Sequence, residues 1–460
     1  MPGSDALVAL VDAVAREAML FGAIGFLVGG LDDLLVDLVY LRARIAAWVR
    51  PAPVRPLVQR GGRMAIFVPA WDESAVIGAM LRATLARYDY PDYRIYVGVY
   101  PNDPDTIAAV LDVAAVAEQV HMVVCTAPGP TTKADCLNHL WQALCRDEIE
   151  EDHPFRAIVL HDAEDLVDPL ELRVYATWLV DHDAVQIPVL PLADPQSPFV
   201  AGHYLDEFAE SHAKVLEVRQ ALGAALPFAG VGCAIDRTML GRIAADRGGV
   251  PFDETSLTED YELGLTVAAM GGRTRLARMW SEAGEAVAVR AYFPATLSTA
   301  VRQKARWMTG IALAGWDRTG WARGGSLGEH WMRMRDRRAT LAIPVLAIAY
   351  FALVLWGVSL LTHLVVGAPA PLPDDLMQLL LLVNGGLLAW RIAMRAGFTG
   401  AAYGWRQAAL SVPRILVANL ISLLAARRAL MLYWPTLHGH RPRWDKTAHH
   451  FPEAAADRTQ

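Results

Sequence analysis

The stretch Ala157–Pro169 reads AIVLHDAEDLVDP: an apolar run, Ile158-Val159-Leu160, that stops abruptly on His161, Asp162, Glu164 and Asp165. A run of this kind fits a strand buried on both faces of an α/β sheet. Asp168-Pro169 then opens a helical pattern. In open α/β sheets ligands bind beyond the carboxyl ends of the strands, which is where this acidic cluster falls. Like charges held this close are costly unless something positive sits between them. A hard divalent cation, Mg²⁺ or Mn²⁺, meets that need with one or two carboxylates plus the oxygens of a substrate phosphate. Taken alone, D-A-E-D is better explained as a solvated acidic turn capping the helix near Asp168. Residues elsewhere reverse that balance.

The chain has 460 residues, 54% of them hydrophobic, and a mean hydropathy of +0.26. Two or three domains fit that length, and the hydropathy is high for a wholly soluble protein. A net charge of -7, with no basic stripe carrying interleaved aromatics, excludes a general nucleic-acid binder. Cys125, Cys136, Cys145 and Cys233 form no CxxC pair and have no partner histidines at zinc spacing. They read as reduced core thiols in a cytosolic setting. The opening MPGSDALVALVDAVARE lacks a basic n-region, so no cleaved signal peptide is expected.

Ala18–Tyr40 is apolar and long enough for a bilayer span, which takes about 20 residues. Its Asp32, Asp33 and Asp37 are costly there unless they face protein or water, and an interfacial helix is the alternative. Arg42, Arg44, Arg50, Arg55, Arg60 and Arg63 follow, marking the cytoplasmic side by the positive-inside rule. After Arg333, Arg335, Arg337 and Arg338 a span is expected at Leu341–Val366. The loop GAPAPLPDD has no Lys or Arg and is placed outside, and Leu376–Trp390 returns to Arg391 and Arg395. Ile415–Ala426 is only about half a span, bracketed by Arg406, Arg414, Arg427 and Arg428. A crossing there would carry Arg441, Arg443 and Lys446 outside, so an in-plane amphipathic helix at the cytoplasmic face is expected instead.

From Met64 the pattern changes. Ala65–Val68, Ile95–Tyr100, Val120–Val124 and Ile158–Leu160 are β-like, separated by helical patterns such as Ser74–Tyr88 and Lys133–Glu148. That alternation predicts βαβ units and a mostly parallel sheet. Val185–Leu190 and Gly232–Ile235 read as further strands, and Leu257–Met270 as a helix stopped by Gly271-Gly272. The expected division is 1–60, a membrane helix and basic linker; 61–325, the cytoplasmic α/β domain; and 326–460, membrane helices, interfacial helix and cytoplasmic tail.

Five further motifs combine with the acidic cluster. Val68-Pro69-Ala70-Trp71-Asp72-Glu73 ends a strand in two carboxylates, which suit a helix N-terminus or the base and ribose of a nucleoside. Tyr100-Pro101-Asn102-Asp103 ends the next strand in the same way, with turn chemistry as the plainer reading. In Thr131-Thr132-Lys133-Ala134-Asp135-Cys136-Leu137-Asn138, a cation sits at the positive end of a helix dipole; a phosphate or the nearby acidic site would account for it. Asp135 serves a nucleoside or the helix dipole equally well. In Ser256-Leu257-Thr258-Glu259-Asp260, Ser256 and Glu259 have capping-box spacing, which gives them a structural task and leaves Asp260 as a candidate general base. Finally, Gln303, Arg306 and Trp307 share one helical face. There Arg306 can grip a phosphate bidentately and Trp307 offers a flat surface to a sugar; the plainer reading is an interface-anchoring helix.

In this order the motifs resemble the membrane-integrated processive glycosyltransferases of family 2, the group that includes cellulose, chitin and hyaluronan synthases. Asp72-Glu73, Lys133 to Asn138, Asp162-Ala163-Glu164, Thr258-Glu259-Asp260 and Gln303 to Trp307 correspond to that family's strand-end acidic pair, K-A-x-x-L-N helix, D-x-D metal motif, T-E-D base and Q-x-x-R-W helix. The likeness covers about Met64 to Trp316. The spellings PAWDE, YPNDP, HDAED and the tail WDKTAHHFP are most similar to inner-membrane glycosyltransferases first named as phage-adsorption proteins. The resemblance implies a cytoplasmic, Rossmann-like GT-A domain joined to transmembrane helices in a bacterial inner membrane. It implies inverting transfer from a nucleotide-diphosphate sugar, most simply UDP-linked, to a glycan acceptor in making a surface or secreted polysaccharide.

On that resemblance Asp260 is the base. Asp72, Glu73, Asp103, Lys133, Asp135, Asp162 and Arg306 would bind the donor; Gly230, Gly232, Glu259, Gln303 and Trp307 the acceptor. Asp162 with Glu164 or Asp165 would hold Mg²⁺ or Mn²⁺. Glu164 departs from D-x-D, and Lys304 stands where synthases often carry Gln or Arg. Three expected spans are few for a self-contained export channel, which points to export partners. Relatives of the phage-adsorption type can carry a C-terminal cyclic-di-GMP-binding domain, and none is expected in the residues up to Gln460. The competing reading is a non-catalytic membrane scaffold or receptor with a degenerate transferase fold.

Overall fold

A computed structural model describes residues 2–51, 55–439 and 450–452. The chain opens with α1 (Pro2–Val49) and then alternates: β1 (Arg63–Pro69), α2 (Ile77–Arg87), β2 (Tyr93–Val99), α3 (Pro104–Ala114), β3 (Val120–Val124), α4 (Lys133–Glu151), β4 (Phe155–Leu160) and α5 (Glu171–Trp178). Next come β5 (Ala184–Gln186), α6 (Gly202–Glu210), a π-helical turn (Ser211–Val215), α7 (Leu216–Ala221), β6 (Cys233–Asp236), α8 (Arg237–Asp246), α9 (Glu259–Ala269) and β7 (Thr274–Leu276). The remainder is helical: α10 (Leu297–Met308), a second π-helical turn (Thr309–Leu313), α11 (Ala314–Thr319), α12 (Leu327–Arg337), α13 (Ala339–Val366), α14 (Asp375–Tyr403) and α15 (Trp405–Thr436).

The seven strands form one sheet in the order β3-β2-β1-β4-β6-β5-β7. All neighbours are parallel except at β6, which runs against both β4 and β5. β1 shows why both faces are covered. Met64, Ile66 and Val68 enter the core that also holds Ile77 and Leu81 of α2, while Ala65 and Phe67 enter the core holding Leu137 and Leu140 of α4. The two-residue period of a strand sends alternate side chains to opposite layers, so a continuous apolar run marks a strand sandwiched by helices.

Some boundaries differ from expectation. The strand predicted at Val185–Leu190 ends at Gln186, because Pro188 has no N–H for a ladder. The helix expected from Asp168 begins at Glu171; Asp168 stays outside it and accepts from the N–H of Leu170 at 3.1 Å. The run Ile415–Ala426 is the middle of a 32-residue helix, not a half-span. α1, α13, α14 and α15 are each long and apolar enough to cross a membrane.

α1 is longer than Ala18–Tyr40, and its Asp32, Asp33 and Asp37 face protein. Asp32 and Asp33 pair with Arg335 and Arg338 at the start of the C-terminal helices. Asp37 is buried, pairing with Lys214 and accepting from Trp390 Nε1 at 2.8 Å. The uncharged part of α1 is Ala18–Leu31, about 21 Å of helix. There it packs closely on α13, for a Cβ on Gly25 would fall 2.5 Å from Val345 Cγ1.

Candidate functional site

β1, β2 and β4 are parallel neighbours, so the turns that follow them share one edge of the sheet. β6 runs the other way, with Cys233 opposite Leu160, so Gly230 and Gly232 enter at that same edge. This topology brings Glu73, Lys133, Asp162, Glu164, Asp165 and Gly230 onto the wall of one cavity of about 740 Å³. Glu259 and Asp260 from the start of α9, and Gln303, Arg306 and Trp307 from α10, complete it.

Lys133 accounts for its own odd position. Its Nζ lies 2.5 Å from Asp162 Oδ1, 3.5 Å from the carbonyl of Gly230 and 3.9 Å from Glu259 Oε1. Burial alone would lower its pKa, but Asp162, Glu259 and Asp260 raise it above the usual lysine value. The ammonium therefore stays charged among carboxylates.

Asp260 Oδ1 accepts from the Tyr261 N–H at 2.8 Å. A Cβ on Gly230 would lie 2.6 Å from Asp260 Oδ2 and 3.5 Å from Lys133 Nζ, and Gly230 has φ +79°. Only glycine accepts both that backbone and that proximity. Burial raises the pKa of Asp260 against the pull of Lys133. Glu259 is pushed up to about 7 by burial and by Asp260 beside it.

The capping box expected at Ser256 and Glu259 does not form. Thr258 occupies the N-cap position. Ser256 Oγ instead donates to Glu262 Oε1 at 2.7 Å and accepts from the Thr258 N–H at 3.1 Å. The helix starts too late in the chain for Ser256 to reach its orphan amides, so the carboxylate of Glu259 is turned towards Lys133.

Asp165 is committed inside its own turn. Its Oδ2 accepts from the Asp162 N–H at 3.0 Å and lies 2.8 Å from His161 Nδ1, with the side chain only 2% exposed. His161 Nε2 lies 2.8 Å from Glu171 Oε1. Burial would lower the pKa of this imidazole, but the two carboxylates push it up to about 10. Asp162 and Glu164 are then the carboxylates at this turn suited to a cation. Among the described residues no three His, Cys, Asp or Glu side chains form a ready cage.

Asp72, Asp103, Asp135 and Gly232 are not on the cavity wall. Asp103 caps α3, accepting from Thr106 N, and also takes the Asp72 N–H at 2.5 Å. Asp72 is exposed. Asp135 follows the N-cap Thr132 in α4, and its Oδ2 is buried with no hydrogen-bond partner among the described residues. Gly232 makes room for Val289 and Ile187. Gln303 Oε1 is likewise buried with no hydrogen-bond partner among the described residues.

Sequence reasoning passed over His161 and His450. His450 lines the cavity and Phe451 is buried in the sheet's core. An apolar Phe-Pro pair at the end of a polar tail was the available signal. Trp444 to His449, with Arg441, Arg443 and Lys446, lie outside the described residues.

Residues 62–310 match the family model described as glycosyltransferase like family 2. The chain belongs to this family. It is 36% identical over 467 residues to bacteriophage adsorption protein B of Escherichia coli K12, and equally to bacteriophage N4 adsorption protein B of Escherichia coli O157:H7. These alignments cover 95% of this chain but 62% of each relative, so the chain spans less than two thirds of their length. A mannosyltransferase from Pyrobaculum calidifontis, solved in complex with GDP-Man and Mn²⁺, has the same fold. The TM-score is 0.53 at 17% identity, over 86% of this chain and 99% of that one. All five ordered motifs of this family 2 chain, from Asp72 to Trp307, fall within the matched residues.

Proposed function

We propose that this family 2 glycosyltransferase moves a sugar from a nucleotide diphosphate, UDP-linked in our reading, to the hydroxyl of a glycan acceptor, inverting the anomeric centre, in building a cell-surface or secreted polysaccharide. The observation that carries this reading is the meeting of Asp260, Lys133, Asp162 and Gly230 at one point of the cavity that also holds Arg306 and Trp307.

Asp260 takes the proton of the acceptor hydroxyl as its oxygen bonds to the anomeric carbon and the bond to the diphosphate oxygen breaks. Burial raises its pKa against the pull of Lys133, which makes the carboxylate a stronger proton acceptor. Lys133 and Arg306 set positive charge against the leaving diphosphate. Asp162 and Glu164 would hold Mg²⁺ or Mn²⁺, and the ammonium already against Asp162 supports a site built for positive charge. When bound, such an ion neutralises charge on the leaving diphosphate. Glu73 on the cavity wall grips the nucleoside, with Asp72, Asp103 and Asp135 nearby past the ends of β1 and β2 and at the start of α4. Glu259, Gln303 and Trp307 hold the acceptor, and Gly230 shapes its path.

The same reading keeps the division 1–60, 61–325 and 326–460, with residues 61–325 on the cytoplasmic side of a bacterial inner membrane and export completed by partner proteins. α15 lies along that face. Its buried Arg414 pairs with Asp206 at 3.0 Å, Ala425 and Ala429 pack with Ala305 of α10, and Tyr433 Oη donates to Asp317 at 2.6 Å. Arg414 and Tyr433 are about 28 Å apart along the helix, and both ends of that length touch the α/β domain or α11.

The test is metal-dependent UDP release by membranes containing the full chain, across a panel of UDP-sugars. Asp260→Asn is expected to fold and bind UDP while transfer falls by about 10²-fold or more. An active Asp260→Asn protein overturns the base assignment. No release by the wild type with any sugar favours the scaffold.

A further inference from the structure

His161 sits at the end of β4 with no exposed surface. Its N–H reaches the carbonyl of Phe67 on β1 at 3.1 Å. Each ring nitrogen lies 2.8 Å from a carboxylate, Nδ1 from Asp165 and Nε2 from Glu171. Glu171 also accepts from Tyr88 Oη at 2.5 Å. The other end of the chain of contacts is the Asp162 N–H on Asp165 Oδ2 at 3.0 Å, and the turn is closed by Asp165 N on the carbonyl of Asp162 at 3.2 Å. The turn that aims Asp162 and Glu164 into the cavity is thus braced from behind by one side chain set between two buried acids.

We propose that His161 is a positioning residue that holds the Asp162-Ala163-Glu164 turn in its cation-binding geometry through Asp165. The inference rests on the metal-holding role proposed above for Asp162 and Glu164. Without the imidazole, Asp165 and Glu171 each lose the ring nitrogen that lies 2.8 Å away, leaving two buried polar groups that must find water or rearrange. Either response weakens the hold of Asp165 on the Asp162 amide. Partners behind metal ligands typically change metal affinity by about 10–100-fold.

The experiment is Mn²⁺ binding to the purified full chain, read from the electron paramagnetic resonance of the unbound ion, beside thermal melts. His161→Gln is expected to weaken Mn²⁺ binding by about 10–100-fold, with transfer recovered at high Mn²⁺. Asp165→Asn is expected to weaken it as well, and decides the matter if His161→Gln does not fold. Tyr88→Phe removes the bond to Glu171 and the 3.4 Å contact with His161 Nε2 but leaves both carboxylates on the imidazole, so it should lower the melting temperature with Mn²⁺ affinity unchanged. Wild-type affinity in the folded His161 or Asp165 variants, with Asp162→Ala defective, overturns the positioning role alone. Wild-type affinity in Asp162→Ala overturns the metal assignment and the positioning role with it.

Discussion

Replacing Gly230 by alanine probes the centre of the site with a single methyl group. At φ +79° an alanine pays for the left-handed backbone, about 1–2 kcal/mol. Its Cβ would sit 2.6 Å from Asp260 Oδ2 and 3.3 Å from Asp260 Cγ. Ordinary non-bonded carbon contacts settle at about 3.5–4.0 Å, so the carboxylate must retreat by roughly 0.5–1 Å. A displacement of about 1 Å at a reacting group can cost about 10²-fold. Gly232→Ala is the matched control. Its φ is +61°, and its Cβ meets Val289 Cγ2 at 2.9 Å, Ile187 Cγ1 at 3.2 Å and Val289 Cβ at 3.5 Å, with Asp260 no nearer than these. Melting curves and initial rates of UDP release on solubilised protein would be measured for both. The expected result is a similar loss of stability, about 1–3 kcal/mol, with a fall in kcat of about 10²-fold for Gly230→Ala and a much smaller one for Gly232→Ala. Equal kcat losses in the two variants would refute the claim that Gly230 matters through Asp260.

Glu259 should tilt stability with pH. Its pKa rises from 4.5 to about 7 on folding, so between those values the folded state holds a proton that the unfolded state has lost, and wild-type stability falls as pH rises through that window. Glu259→Gln lacks this slope: it should be more stable than wild type above pH 7, by up to the order of 3 kcal/mol, with the gap closing below about pH 4.5 in melts across that range. For the in-plane α15, a maleimide probe applied outside intact cells should label Pro371→Cys and miss His438→Cys; labelling of both would mean that α15 crosses the membrane. His450→Ala should raise KM for the donor or acceptor several-fold while the melting temperature stays put, and unchanged kinetics would separate the cavity's tail contact from function.

The parallel sheet and the positions of its ligand-bearing edge were legible in the sequence because they are local. A strand covered on both faces must be apolar throughout, as β1 and β4 are, and the residues just past its carboxyl end are polar wherever a crevice opens. The order of strand-end acids, Lys133, Asp162, Asp260 and the Gln303–Trp307 face could be read for the same reason. What remained hidden depends on pairings between distant segments. Ser256 and Glu259 have capping-box spacing, but only the packed α9 and α11 show Glu262 taking the Ser256 hydroxyl and Arg318 pairing with Glu262. D-A-E-D contains three acids of similar appearance, and it is the burial of His161 against Asp165 and Glu171 that sets Asp165, engaged within its own turn, apart from Asp162 and Glu164. Asp32, Asp33 and Asp37 look like faults in an apolar helix until Arg335, Arg338 and Lys214 arrive from residues 177 to 306 positions away. Charge complementarity across such separations leaves no periodic trace in a chain, because any arginine could answer any aspartate; only the fold selects which ones meet.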